Sequence, residues 1–209
     1  MSEEAFRARL VAAAFGLAAE KGWRAVSPAA AARAAGLDLA RARREFSCNG
    51  AILAEFGRTA DAAALAGLDG EGTTRERLFE IILKRFDYLQ ANRGGVLALL
   101  RALPLNPPLA FALMEMSIAS MGWLLEGAGI DATGAQGAVK KRGLLGVWLY
   151  GVYAWERDES EDLAHTMAAV DKALTQAENL AGRFLPTAEA GMVEDNEAAA
   201  AGETVPSEA

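Results

Sequence analysis

The chain has 209 residues, a formal net charge of −7, one cysteine and one histidine. That length allows one good-sized domain, or a small domain joined to a larger one. Cys48 alone excludes an internal disulfide and fits a reducing, cytoplasmic setting, while His165 alone argues against a histidine-based zinc site or a Ser-His-Asp triad.

Hydrophobic residues make up 52% of the chain but aromatics only 7%, and no sustained alternation of Val, Ile or Thr is present. The expected class is therefore all-α. Charge is uneven: residues 1–60 carry nine Lys and Arg against six Asp and Glu, a net +3, and the remaining residues carry a net −10. A locally basic N-terminus on an acidic protein is the asymmetry expected of a DNA-reading headpiece.

Residues 4–21 read as a helix with Phe6, Leu10, Ala14 and Leu17 on one face, ending at Gly22. The first residues lack a basic stretch followed by an apolar core, so no secretory signal is expected. Ser27 then offers a hydroxyl to orphan helix N–H groups, and Pro28 suits a first helical position, where no donor is needed. A helix over 29–35 stops at Gly36, and Asp38 caps a second over 39–46. This is a helix-turn-helix pattern. On the second helix, Leu39, Ala42 and Phe46 share one side, Arg41 and Arg44 the other, and Arg43 the flank. Those arginines suit phosphate or guanine-edge contacts, or equally a solvated charged face.

After a turn at 47–50, Ile52, Phe56 and Ala60 open a further helix, and 69–72 break the chain. Thr73 or Thr74 caps the next helix, whose inner stripe is Leu78, Ile82, Phe86 and Leu89. Residues 92–95 interrupt it, 96–103 form a short helix, and Pro104, Pro107 and Pro108 end that one. The apolar stretch 109–125 is shorter than the ~20 residues of a membrane span and contains Glu115, so it reads as a buried helix with no membrane span.

Two long helices, over 138–155 and 161–184, close the folded part. Leu144, Val147, Trp148, Gly151 and Trp155 line the first, and Leu163, Met167, Val170, Leu174 and Ala177 the second. These stripes fit either a homodimer surface or internal core. Residues 186–209 carry six acids and no base and read as a disordered acidic tail.

The acidic group Asp158, Glu159, Glu161 and Asp162 sits at a helix N-terminus, where capping and the helix dipole account for it more simply than a metal. Gly94-Gly95 and Gly70-x-Gly72 lack the lysine or strand context of phosphate cradles. No catalytic constellation is found, and no cofactor is expected. Phe86, Tyr88, Met114, Met121, Trp123 and Trp148 are candidates for lining a hydrophobic ligand pocket in the body, or else ordinary core.

Ala18-Ala19-Glu20-Lys21-Gly22-Trp23, Val26-Ser27, Ala31-Ala32-Arg33-Ala34-Ala35-Gly36-Leu37, and Phe46 followed by Ile52-Leu53 resemble the headpiece of the TetR family of transcriptional regulators. The resemblance covers about the first 60 residues. It implies a helix-turn-helix DNA-binding domain over 1–60, and a helical ligand-binding and dimerisation domain over 61–185. It further implies a homodimer, joined through the last two long helices, that binds operator DNA and releases it when a small hydrophobic ligand enters the body.

The residues this places toward DNA are Ser27, Arg33, Arg41, Arg43, Arg44 and Asn49. Arg43 and Asn49 stand where the family usually has an aromatic residue and a lysine, and Glu45 is expected near the outward face, where it would repel phosphate.

Within the body, Arg77-Leu78-Phe79-Glu80 to Asn92-Arg93, with Trp155, Asp158, Ser160, Asp162-Leu163, Thr166-Met167 and Asp171, is similar to a second family. That TetR-fold family assists coenzyme Q biosynthesis by binding lipid. It implies an alternative role, a lipid-binding accessory protein whose headpiece does not read DNA. In that family a C-terminal amphipathic helix touches membrane, whereas the acidic stretch after Phe184 has no apolar stripe.

Overall fold

The computed structural model describes residues 1–184 apart from Asp69, Glu71 and Glu161, so the expected tail over 186–209 lies outside the described residues. The described residues form helices α1 (Glu3–Lys21), α2 (Pro28–Ala34), α3 (Leu39–Glu45), α4 (Asn49–Leu65), α5 (Thr74–Ala91), α6 (Arg93–Ala102), α7 (Pro107–Gly127), α8 (Gly134–Arg157) and α9 (Ala164–Phe184), with short 3₁₀ turns at Trp23–Ala25 and Leu103–Leu105.

Local chemistry sets the headpiece. Ser27 Oγ accepts from the Ala30 N–H at 3.1 Å, with Pro28 in the first turn. At the other end of α2, Gly36 adopts φ 63°, the Leu37 N–H donates to Ala32 O at 2.8 Å, and the Gly36 N–H donates to Arg33 O at 3.2 Å. This pair of bonds closes the helix with a left-handed residue, a geometry that favours glycine. Asp38 then caps α3 through the Arg41 N–H at 2.7 Å. Phe6, Leu10, Ala14, Trp23, Val26, Ala31, Ala42, Phe46 and Ile52 are buried at the headpiece end of a core that continues into the body.

The expected division at residue 60 falls inside α4, which runs unbroken from Asn49 to Leu65 and contacts α1, α5 and α7. α6 also joins the two parts by packing along α1. The break expected over 92–95 is confined to Asn92: α5 ends at Ala91, α6 begins at Arg93, and both glycines are helical. A Cβ on Gly95 would fall 2.5 Å from the Phe15 carbonyl oxygen, so the missing side chain is what lets the two backbones approach. Pro107 and Pro108 likewise start α7 rather than end α6, in the first-turn positions where a missing N–H costs nothing.

In the body, Thr73 and Glu76 form a reciprocal capping box at the start of α5. Arg77 donates to Ala128 O at 3.0 Å, closing the C-terminus of α7. Arg93 does the same for α8, donating to Trp155 O at 3.0 Å and Asp158 O at 3.0 Å while its guanidinium lies 4.7 Å from the centroid of the Trp155 ring. Asp158 is buried at the α8–α9 corner, where its Oδ2 accepts from the backbone and hydroxyl of Thr166, both at 2.8 Å.

Two expectations are corrected. The 109–125 stretch is not a buried helix: α7 is 21 residues long, and only 22% of its most apolar window, of mean hydropathy 1.4, is buried. Length and composition alone would let it cross a membrane. It instead packs through Ser120, Met121, Leu124 and Leu125 against α4, α5 and α8, leaving Phe111 and Trp123 exposed. The apolar stripes assigned to a dimer surface are also internal. Leu144, Val147, Trp148, Trp155, Leu163, Val170 and Leu174 are buried within the protomer, and the apolar side chains α8 leaves uncovered are Val139, Leu149, Tyr150 and Tyr153.

Candidate nucleic-acid interface and ligand cavity

The six headpiece residues singled out in the sequence do not share one environment. Arg33, Arg43 and Arg44 are exposed around the end of α2 and on α3. Arg43 makes one long contact to Ser47 O at 3.4 Å. Ser27 is half-buried with its hydroxyl capping α2. Arg41 is committed to the protein: its Nε donates to Glu45 Oε1 at 2.6 Å, its guanidinium lies 4.3 Å from the centroid of the Phe6 ring, and its Nη atoms reach Met1 O and Ser2 O. Asn49 is also tied inward, donating from Nδ2 to Val26 O at 2.8 Å.

Glu45 does not face outward, as its helical position suggested. Its side chain is 13% exposed and is held between Arg41 and Arg7, the latter at 3.2 Å from α1. Hydrogen bonding from Arg41 is the main reason its carboxyl sits below the ordinary range; burial opposes this, and Arg7 adds to it. The carboxylate is thereby neutralised inside the headpiece. The exposed face of α3 is left with Arg43 and Arg44, a basic edge free of acidic side chains from that helix.

In the body, a cavity of about 390 Å³ opens between α4, α5, α6, α7 and α8, a size common for small-molecule sites. Its wall is mostly apolar, with Leu89, Val96, Leu99, Leu103, Leu113 and Met116 among its residues. Three of the six expected pocket residues line it, Met114, Trp123 and Trp148. The other three do not. Phe86 and Met121 are fully buried in the core, Phe86 stacking behind Trp148 at 4.7 Å between centroids, and Tyr88 instead faces Phe56 at 5.1 Å.

Sequence reasoning missed the polar part of the wall, Asp61, Arg85 and Ser120. Ser120 Oγ donates to Asp61 Oδ1 at 2.7 Å, and the same oxygen lies 3.3 Å from Arg85 Nε. The signal was available. Leu78, Ile82, Arg85 and Leu89 follow helical spacing, so an arginine stands in the inward stripe of α5.

The acidic group after α8 serves the backbone. Asp158 receives Ser160 and Thr166, Asp162 receives the Ala164 N–H at 3.2 Å, and Glu161 lies outside the described residues. Among the described residues no group of His, Cys, Asp and Glu is arranged to hold a metal. His165 is exposed on α9, 3.5 Å from Asp158.

This architecture is found in known structures. The chain is similar to a TetR transcriptional regulator from Nitrosomonas europaea, at 24% identity and a TM-score of 0.65 over 82% of this chain and 97% of that one. It is also similar to a TetR-family transcriptional regulator from Streptomyces coelicolor, at 17% identity and a TM-score of 0.55 over 96% and 100%. No family model and no curated protein matches the sequence. The chain has the all-α fold of the TetR-family transcriptional regulators, with helix-turn-helix helices at the N-terminus and a helical body behind them.

Proposed function

We infer that this protein is a cytoplasmic, homodimeric transcriptional repressor that binds operator DNA through α2 and α3 and responds to a small hydrophobic ligand in the body. The observation that carries this reading is the pairing of an exposed basic edge, Arg43 and Arg44 on a capped helix-turn-helix, with an apolar cavity whose walls are shared with the helices that hold the headpiece. Phe56 of α4 is in the cavity wall and packs on α1; α6 contributes Val96, Leu99 and Leu100 to the wall and Gly95 to α1. A ligand that reshapes the wall therefore has a short packed route to the headpiece. The uncovered side chains of α8 away from the cavity, Val139, Tyr150 and Tyr153, are the surface this reading assigns to the second copy.

The test is binding to the DNA upstream of the protein's own gene, measured against salt. Tight binding with a steep negative dependence of log K on log salt is expected, and a slope near zero overturns the reading.

A second reading, a lipid-binding accessory protein of coenzyme Q biosynthesis, draws support from Arg41 and Asn49, two candidate DNA contacts that are committed to the protein itself. The body residues that suggested it, among them Arg77, Arg93, Trp155, Asp158 and Thr166, cap and join helices, so they speak for the shape of the body rather than its ligand. Native mass spectrometry of protein isolated from its own host separates the two readings. A retained isoprenoid or phospholipid together with absent operator binding supports the second.

A further inference from the structure

We propose that the cavity of the body takes a singly charged amphiphilic anion, an alkyl or alkenyl carboxylate, with its carboxylate on Arg85 and its tail along the leucine-lined wall. This rests on the reading of the body as a ligand-binding domain and names the ligand's chemistry.

Arg85 is the unusual feature of the cavity. Its side chain is only 7% exposed, and its Nε and Nη1 are buried without a hydrogen-bond partner. Trp148, itself in the wall, carries the guanidinium 4.3 Å from its ring centroid, which fixes the group in place but satisfies none of its in-plane donors. Asp61 compensates in part. Its Oδ1 is 3.3 Å from Nε but out of line for a hydrogen bond, and it is already taken by the Ser120 hydroxyl.

Buried guanidinium donors without acceptors are costly, because desolvation is not repaid. Burial accordingly weakens the hold of Arg85 on its proton, and Asp61 opposes that only partly. An arginine in this condition at the wall of a cavity is a site lacking an acceptor, with both Nε and Nη1 unpaired.

Charge and shape narrow the occupant. Of the charged side chains of the wall, Arg58 is exposed and paired with Glu55, so the enclosed charges are Arg85 and Asp61, and the guanidinium donors that Asp61 leaves unpaired suit at most one further negative charge. A dianion such as a phosphate monoester would leave an excess charge beside Asp61 in an apolar enclosure. A carboxylate matches the planar guanidinium and accepts charge-assisted hydrogen bonds. Leu89, Val96, Leu99, Leu113 and Met116 give no polar partner, so the rest of the ligand is hydrocarbon. Trp123 and Leu149 are in the wall yet exposed, which marks the mouth.

Calorimetric titration of the full chain with decanoate, methyl decanoate and decylammonium tests this. Decanoate is expected to bind about tenfold or more tightly than the methyl ester, and decylammonium least. The paired substitution Arg85→Met with Asp61→Asn, which leaves no lone buried charge, is expected to retain its helical circular dichroism and to bind decanoate and the ester equally. Equal affinities in the unsubstituted protein, or a preference that survives the paired substitution, overturn the carboxylate assignment while leaving the ligand-binding body standing. Failure of all three probes overturns both.

Discussion

The rings of Phe15 and Phe56 stack with centroids 4.0 Å apart and 18° between their planes. Phe15 belongs to α1 of the headpiece and also meets Trp23 edge-on at 5.7 Å, while Phe56 meets Tyr88 of α5 at 5.1 Å and lines the cavity. A continuous set of rings thus runs from the turn before the helix-turn-helix to the cavity of the body. Close-packed interiors transmit displacement because their side chains have nowhere to yield. Gly95 holds the second line of contact, along α6.

Gly95→Ala tests how closely those helices are fitted. The added methyl would lie 2.8 Å from both Cβ and Cδ1 of Phe15, so α1 and α6 must separate. The melting temperature is expected to fall by about 3–9 °C. Gly16→Ala is the internal control: that exposed position in α1 has nothing within 4 Å of a new Cβ, and gaining helix propensity there should raise the melting temperature by about 1–4 °C. Equal and small changes from both would show that the α1–α6 contact is not tight.

The arginines of α3 divide into two kinds, and substitution should separate them. Removing Arg43 and Arg44 together is expected to weaken operator binding and lower the salt slope by about one for each arginine lost from each headpiece. Stability should hardly change, because both side chains are exposed. Arg41→Ala should do the reverse, costing about 1–2 kcal/mol through the lost Glu45 pair and Phe6 contact with the salt slope unchanged. Fluorescence anisotropy across a salt series and urea denaturation read both quantities.

Glu45 gives the headpiece a definite pH dependence. Its carboxyl is held below the ordinary 4.5, chiefly by Arg41, so its stabilising effect is complete above that value and is lost as pH falls through the lowered one. Glu45→Gln should therefore cost about 1 kcal/mol at pH 7. The cost should shrink when both proteins are compared at a pH below the folded value. A cost independent of pH would mean that the carboxylate is not what Arg41 and Arg7 recognise.

The headpiece was legible in the sequence because its signals are local. Ser27, Gly36 and Asp38 each act on backbone groups within a few residues, and the structure uses all three. The i,i+4 pairing of Arg41 with Glu45 is within reach of helical spacing, but Arg7, 38 residues away, which draws Glu45 inward from α1, is not. α8 defeated the pattern for another reason. Leu144, Val147 and Trp148 on one face and Leu149, Tyr150 and Tyr153 on the other are both apolar, and only the positions of α7 and α9, with Phe86 of α5, decide which face is covered. Arg85 is a weak signal in the sequence because neighbouring Phe86 fills the same turn of the stripe, and Arg85 meets a cavity only when α4 and α7 close around it.

The corner between α8 and α9 should be the acid-sensitive point of the body. Burial by itself would raise the Asp158 carboxyl, but the hydroxyls and backbone N–H groups of Ser160 and Thr166 all donate to it and hold it well below the usual carboxylate range. The same contacts keep Leu163 buried in the left-handed region at φ 54°, a conformation that costs a non-glycine residue about 1–3 kcal/mol. Since the folded carboxyl is the lowered one, its contribution is fully present above the ordinary 3.8 and disappears as pH falls below it. Asp158→Ala leaves the buried Thr166 donors unpaired and should cost about 3 kcal/mol at pH 7, with amide exchange accelerating first across the start of α9. In urea titrations from pH 5 to pH 2, the difference between the two proteins should hold down to the ordinary 3.8 and narrow below it. A constant gap across that range would assign the role of Asp158 to packing and not to its charge.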